Sequence, residues 1–208
     1  DPIACWTATT TGTYWLSLRD VAFRGSSSAA YRLHVGTFPR PIGLLPAGGR
    51  PGEPTEVQLL GDGEPATATV TLPTSLGIHD IFVEVDGRSC PSPVKVRVDD
   101  RQGYVEGALP EEPPNAPCAF HGVVSKPGEE DRFPFTAAKG KRILIRALAR
   151  NLRSPLDPVL IVRDAKGKAL ASNDDGLGLD CRITFNPPAS GTFYACVRDH
   201  RQQGSAAH

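Results

Sequence analysis

Proline and glycine punctuate this chain so densely that no long regular element fits into it. The 21 glycines and 20 prolines make up about a fifth of its 208 residues, against roughly 12% in an average protein. Proline removes a backbone donor and ends helices, and glycine weakens helix and strand interiors. Coiled coils and long-helix bundles are therefore excluded, and many turns joining short strands remain. Hydrophobic residues still supply 39% of the chain, enough for a core rather than a disordered tail.

The charge is balanced, with 23 Lys+Arg against 23 Asp+Glu. A nucleic-acid partner would call for a basic surplus. No run of 18 apolar residues is present, so no membrane span is expected. The chain opens on Asp1, carries no methionine and shows no signal peptide in this segment. A processed product or an excerpt of something longer is the expectation.

Internal repeats come first in such a chain. With an offset of 179 residues, Asp1–Asp20 aligns without gaps on Asp180–Asp199. Gly12-Thr13 meets Gly191-Thr192, Arg19-Asp20 meets Arg198-Asp199, and Gly25-Ser26 meets Gly204-Ser205. Trp6, Tyr14, Trp15 and Leu18 meet Phe185, Phe193, Tyr194 and Val197. The first copy runs on into the alternating Tyr31-Arg32-Leu33-His34-Val35, whereas the second reaches His208 before that strand. The second sheet is then expected to expose an open edge, which a flanking stretch or a neighbouring molecule must cover.

Alternation predicts an all-β chain of tandem sandwiches in three parts. Residues 1–36 read as the C-terminal part of a first sandwich, with strands near Ile3–Ala8, Tyr14–Arg19 and Tyr31–Val35. Residues 37–103 read as a small immunoglobulin-like module with its linker. Its strands are Glu56–Leu59, Ala66–Leu72, Ile81–Val85 and Val94–Val98, with turns at Asp62-Gly63 and Asp86-Gly87. Residues 104–208 read as a second larger sandwich lacking its last strand. Strands are expected near Val123 and over Arg132–Thr136, Lys141–Ala149, Val159–Arg163, Ala169–Ser172, Cys181–Phe185 and Thr192–Arg198. Lys139–Asn151 fits a helix face as well as a strand, and its context favours the strand.

Five cysteines are present, Cys5, Cys90, Cys118, Cys181 and Cys196, and none forms a C-x-x-C pair. That spacing argues against a zinc ribbon or a thioredoxin-type site. Cys181 and Cys196 flank the turn at Asn186–Gly191, so antiparallel flanking strands would bring their sulfurs together. Cys90 and Cys118 lie in proline-rich connectors and could staple two domains. The alternative is five buried thiols. The Thr/Ser/Gly/Pro-rich composition points to export, at the cell surface or outside the cell.

A family resemblance covers Gly122–His200. Its blocks are Pro127–Phe135, Ala138-Lys139-Gly140, Ser154–Leu160, Asp164–Gly167, Asn173-Asp174-Asp175 and Ala189–Tyr194. In order and spacing they resemble the bacterial pre-peptidase C-terminal domain. The tandem arrangement resembles large exported proteins of planctomycete-type bacteria. The resemblance implies a non-catalytic jelly-roll sandwich that accompanies secreted peptidases and other surface proteins. It also extends to collagen-binding domains, some of which take calcium on an acidic linker. Glu111, Asn115 and Asp131 fit that linker pattern here; Pro113 and Ala116 depart from it.

Asn173-Asp174-Asp175-Gly176, with Asp157, Asp164 and Asp180, is the densest cluster of oxygen ligands. Calcium takes six to eight oxygens, which makes Asp157, Asp174, Asp175 and Asp180 candidate ligands. An Asx-rich turn bonding its own backbone is the competing reading. His34, His79, His121, His200 and His208 fall on separate elements, and no catalytic or phosphate-loop motif occurs. Arg142, Arg146 and Arg150 form a basic stripe that reads as a solvated face. Trp6, Tyr14 and Trp15 could stack on a glycan, although their aromatic counterparts in the second copy argue for core.

No enzyme is expected in these residues. The leading expectation is a structural or adhesive protein whose units join head to tail by strand addition, with copies of itself as partners. The alternative is an accessory binding or maturation module of a secreted hydrolase, with a glycan or matrix ligand.

Overall fold

A computed structural model describes Ala4 and residues 6–61 and 65–205. The Asp62-Gly63 turn, Asp1, Ile3, Cys5 and His208 lie outside the described residues. The chain divides into two compact units, residues 1–35 and 36–208. Among the described residues the regular elements are β strands apart from one short 3-10 turn, so the protein is all-β.

The first unit corrects the sequence reading. None of its described residues belongs to a strand, so the strands expected at 14–19 and 31–35 are not formed, and the one near 3–8 lies partly outside the described residues. Trp6, Trp15, Phe23, Tyr31 and Val35 are exposed. Only local structure remains. The Trp6 and Tyr14 rings meet edge to face at 4.3 Å, and the Arg19 guanidinium lies 4.9 Å from the Phe23 ring centre. The physical reason is size. Below about 40 residues a chain rarely buries enough apolar surface to hold a core, and strands without a core or a ladder are not stable alone.

The second unit begins with eight short strands: β1 (Gly43–Leu45), β2 (Gly48–Gly49), β3 (Pro54–Leu60), β4 (Ala66–Thr71), β5 (Gly77–Ile81), β6 (Glu84–Val85), β7 (Arg88–Ser89) and β8 (Val94–Val98). They form the sheets β1-β3-β4 and β2-β8-β5, with β6-β7 as a small hairpin. Val94, Val96 and Val98 alternate inward and meet Leu44, Val57, Val70, Leu72 and Val83 in one core. Gly48 is needed where β2 runs beside β8. A Cβ there would lie 1.8 Å from the Arg97 carbonyl oxygen. The strand expected at Ile81–Val85 is displaced. β5 ends at Ile81, Phe82 is exposed, and the chain then turns into β6 and β7 around Asp86-Gly87.

Eight further strands follow: β9 (Gly103–Val105), β10 (Ala119–His121), β11 (Glu130–Ala137), β12 (Ile143–Ala147), β13 (Pro158–Asp164), β14 (Ala169–Asn173), β15 (Cys181–Phe185) and β16 (Gly191–Asp199). β11-β16-β13-β14 make an antiparallel sheet, β12-β15 a second, and β9 pairs in parallel with β10. The ambiguous 139–151 segment is a strand that ends in the 3-10 turn Arg150–Leu152. The core between the sheets gathers Phe135, Leu160, Val162, Ile183, Phe185 and Phe193. The Phe185 and Phe193 rings meet edge to face at 5.1 Å.

Asp180 fastens that 3-10 turn to the start of β15. One carboxylate oxygen accepts the Ala149 and Arg150 N–H groups at 3.0 and 2.8 Å. The other accepts the Asn151 backbone N–H at 3.1 Å and its side-chain amide at 2.6 Å. The residue is fully buried. Asp180→Ala would strand three backbone donors, each costing about 1–3 kcal/mol when buried and unpaired. A loss of roughly 3 kcal/mol or more is expected in urea unfolding.

Candidate functional site

The strand pairing leaves one conspicuous opening. A cleft of about 830 Å³ lies against the second sandwich and is also bordered by Ala47, Arg97 and Asp99 beside β2 and β8. Every residue from Lys141 to Ala149 lines it, and no residue of β15 does. In a strand, alternate side chains point to opposite faces. A continuous lining therefore means that the edge of β12, not one face, looks into the cleft. Among the described residues β12 pairs only with β15. Phe120 of β10 and Phe133 of β11 form the opposite wall, where their rings stack at 5.1 Å. Leu160, Ala195 and Val197 reach it from the larger sheet.

Asp131 and His121 are two of the ionisable groups in this lining, beside cations such as Arg97, Lys141, Arg142 and Arg146. Asp131 is buried on the inward side of β11, in alternation with Phe133 and Phe135. Burial, then the charges of Glu106 and Glu129, push its carboxyl up to about 7. Burial lowers the His121 imidazole, partly countered by Asp99. The Glu106 carboxylate accepts the Val123 N–H at 3.2 Å. Gly122 leaves room for this arrangement, since a Cβ there would lie 2.9 Å from the Glu106 carboxylate.

The candidate calcium ligands are not gathered. Asp180 spends both oxygens on the 3-10 turn. The Asp157 carboxylate lies 3.9 Å from Arg201, that of Asp174 lies 3.8 Å from His200, and Asp175 is exposed. Asn173 accepts the Gly176 and Arg182 N–H groups, and Asp164 those of Lys166 and Lys168. These are backbone-bonding turns. No group of three or more His, Cys, Asp or Glu is placed to hold a metal among the described residues. His79 bonds the Ser75 carbonyl at 2.8 Å, His121 lies on β10 and His200 follows β16.

The structure does not join the cysteine pairs expected from the sequence. Cys90, Cys118, Cys181 and Cys196 are all free thiols. β15 and β16 flank the turn but do not pair with each other. β15 joins β12, while β16 lies between β11 and β13. Cys181 faces the inner core, and Cys196 packs with Val159 and Ile161 in a separate cluster. Cys90 belongs to the core of the first sandwich, and Cys118 packs on that of the second. The Cys181 thiol lies 2.7 Å from the Pro158 carbonyl, and burial pushes it up to about 12.

The expected strand beside the missing position is partly legible in the turn before it. Asp20 Oδ1 accepts the Ala22 and Arg24 N–H groups at 2.9 and 3.1 Å. Asp199 Oδ1 accepts the Arg201 and Gln203 N–H groups at 2.8 and 2.9 Å. Phe23 and Gln202 both adopt a left-handed backbone, with φ of 55° and 58°. These positions are equivalent at the repeat offset of 179, so the two copies share one turn.

No family model and no solved structure matches the chain. It is 44% identical over 73 residues to a probable subtilase-type serine protease of Deinococcus radiodurans. That stretch is 35% of this chain and 10% of the protease.

Two predictions follow from these environments. Alkylation after denaturation without reductant should label both Cys181 and Cys196, whereas native protein at pH 8 should leave Cys181 unlabelled; mass spectrometry reads both. Asp131 binds its proton more tightly folded than unfolded. Stability is therefore expected to fall as pH rises from about 4 to about 7 and to level off above. A shift from 3.8 to about 7 corresponds to roughly 4 kcal/mol at most. Asp131→Asn should remove the slope and raise urea stability at pH 8.5.

Proposed function

We propose that this chain is a non-catalytic accessory segment of an exported protein whose catalytic part is a serine-protease-type hydrolase. The observation that carries this reading is the 73-residue similarity to a subtilase-type protease. A shared stretch of that length is the size of one small module, below the usual domain of about 100–150 residues. The β-sandwich built on Phe135, Leu160 and Phe193 supports assigning residues 104–208 to the pre-peptidase C-terminal type. On this reading the chain acts outside the cell or at its surface, and it holds its parent enzyme on an insoluble glycan or protein matrix.

A fluorophosphonate probe together with matrix pull-down tests this. The probe should label no serine of the chain, and the chain should be retained on collagen or peptidoglycan. Stoichiometric labelling of a serine would sink the non-catalytic assignment. Passage through both matrices would sink the anchoring role.

A second reading is head-to-tail assembly of such units. One observation favours it. The β12 edge opens on a cleft, while Tyr31, Leu33 and Val35 stand exposed and alternate with Arg32 and His34.

A further inference from the structure

We propose that the outward face of the β12–β15 pair docks a carboxylate-bearing polysaccharide; this rests on the matrix-anchoring reading and names the chemistry of the matrix.

Register sets the face. β12 and β15 pair antiparallel, with Leu144 opposite Thr184 and Arg146 opposite Arg182. Ile143, Ile145, Ile183 and Phe185 turn towards the core, so these four side chains turn outward, and all four are exposed. Arg142 and Asn186 continue the same two rows and are exposed as well. The arginine stripe expected from the sequence therefore changes membership. Arg150 leaves the strand for the 3-10 turn, and Arg182 of the neighbouring strand stands beside Arg146 instead.

These cations lack the partners that others on this sandwich have. On the larger sheet Arg132 and Arg163 both reach Glu130, at 3.0 and 2.8 Å. Among the described residues no ion pair involves Arg142, Arg146 or Arg182. No acidic residue occurs in β12 or β15 to offset them. Residues directly opposite in a strand pair have Cβ atoms about 5 Å apart, and like charges so placed destabilise the pair. An anion held between the two guanidiniums relieves that repulsion, and a carboxylate fits a guanidinium through two parallel hydrogen bonds.

The spacing favours a polymer. Arg142 stands about 13 Å along the strand from Arg146, with Leu144 between them and Thr184 beside it. A sugar chain suits this order: its carboxylates meet the arginines, its C–H ring face rests on the half-exposed Leu144, and its hydroxyls meet Thr184 and Asn186. A nucleic acid suits it less. The chain has no basic surplus, and these six positions carry no aromatic ring on which a base could stack. A folded protein partner calls for an apolar centre, and Leu144 is the one apolar side chain of the six.

The test is affinity electrophoresis of the full chain through gels carrying polygalacturonate, with dextran as the neutral control. Polygalacturonate should retard the chain, dextran should not, and retardation should fall as salt rises. Arg146→Gln/Arg182→Gln should bind about tenfold more weakly or worse, with a urea midpoint kept or raised because a like-charge pair is gone. Arg142→Gln should weaken binding by about threefold or more, and it decides alone if the double variant fails to fold. Arg88→Gln, at an exposed position of β7, should bind as the unaltered chain does. An equal loss in Arg88→Gln overturns the proposal, since overall charge then explains binding. Undiminished binding by the double variant and Arg142→Gln also overturns it, by placing the contact elsewhere. Tighter binding to duplex DNA than to polygalacturonate overturns the glycan assignment. A chain that ignores polygalacturonate yet stays on collagen or peptidoglycan overturns this face and leaves the anchoring role standing, whereas passage through all of them sinks both.

Discussion

A strand's backbone N–H and C=O groups need partners, and most of this protein's organisation follows from where that need is met. β16 is paired on both sides, by β11 and β13, and it forms the centre of the larger sheet. β12 is paired on one side only, and the cleft opens along its other side. The 31–35 segment alternates like a strand yet is not in one. Three segments with comparable alternation therefore have three fates. Partner supply decides among them, because side-chain pattern states which face is buried but not which neighbour completes the ladder.

Short Asp and Asn side chains meet the same need where the ladder stops. Asp180 serves the backbone of the 3-10 turn, Asp164 the β13–β14 turn, and Asn173 the approach to β15. Asp199 closes the turn after β16 as Asp20 closes its counterpart. A carboxylate that already accepts several N–H groups has fewer lone pairs to offer a cation. Of the four candidate calcium ligands, Asp180 is committed in this way, while Asp157 and Asp174 lie near Arg201 and His200.

The strands of residues 36–205 were largely legible because each buries one face. Val94–Val98 is the clearest instance, with three valines inward, and β11, β13, β15 and β16 fall within one or two residues of the alternating runs. Two departures within these residues share one cause. The Cys181–Cys196 bridge assumed that strands adjacent in sequence pair, whereas β15 and β16 lie in different sheets. The Ile81–Val85 strand was displaced because β8 pairs with Gly77–Ile81, a non-local preference that local alternation does not carry. The cleft was legible only as a missing strand. Its walls come from β10, β11 and β12, and the Asp131 carboxyl on its lining owes its raised affinity for protons to burial and to Glu106 and Glu129.

The repeat connects these levels, because it survives in chemistry where it is thin in sequence. Few identities link residues 1–26 with 180–205, yet both copies bend at an aspartate whose one oxygen takes two N–H groups, and both place a non-glycine residue in the left-handed region three positions later. A positive φ is uncommon outside glycine, so its recurrence at equivalent Phe23 and Gln202 points to one inherited turn rather than two chance bends. One of those turns sits on a built sandwich, where the Ser205 N–H bonds the Val124 carbonyl. The other leads into an alternating apolar segment without a sheet. The same bend thus precedes different surroundings in the two copies, which a turn closed by its own aspartate allows.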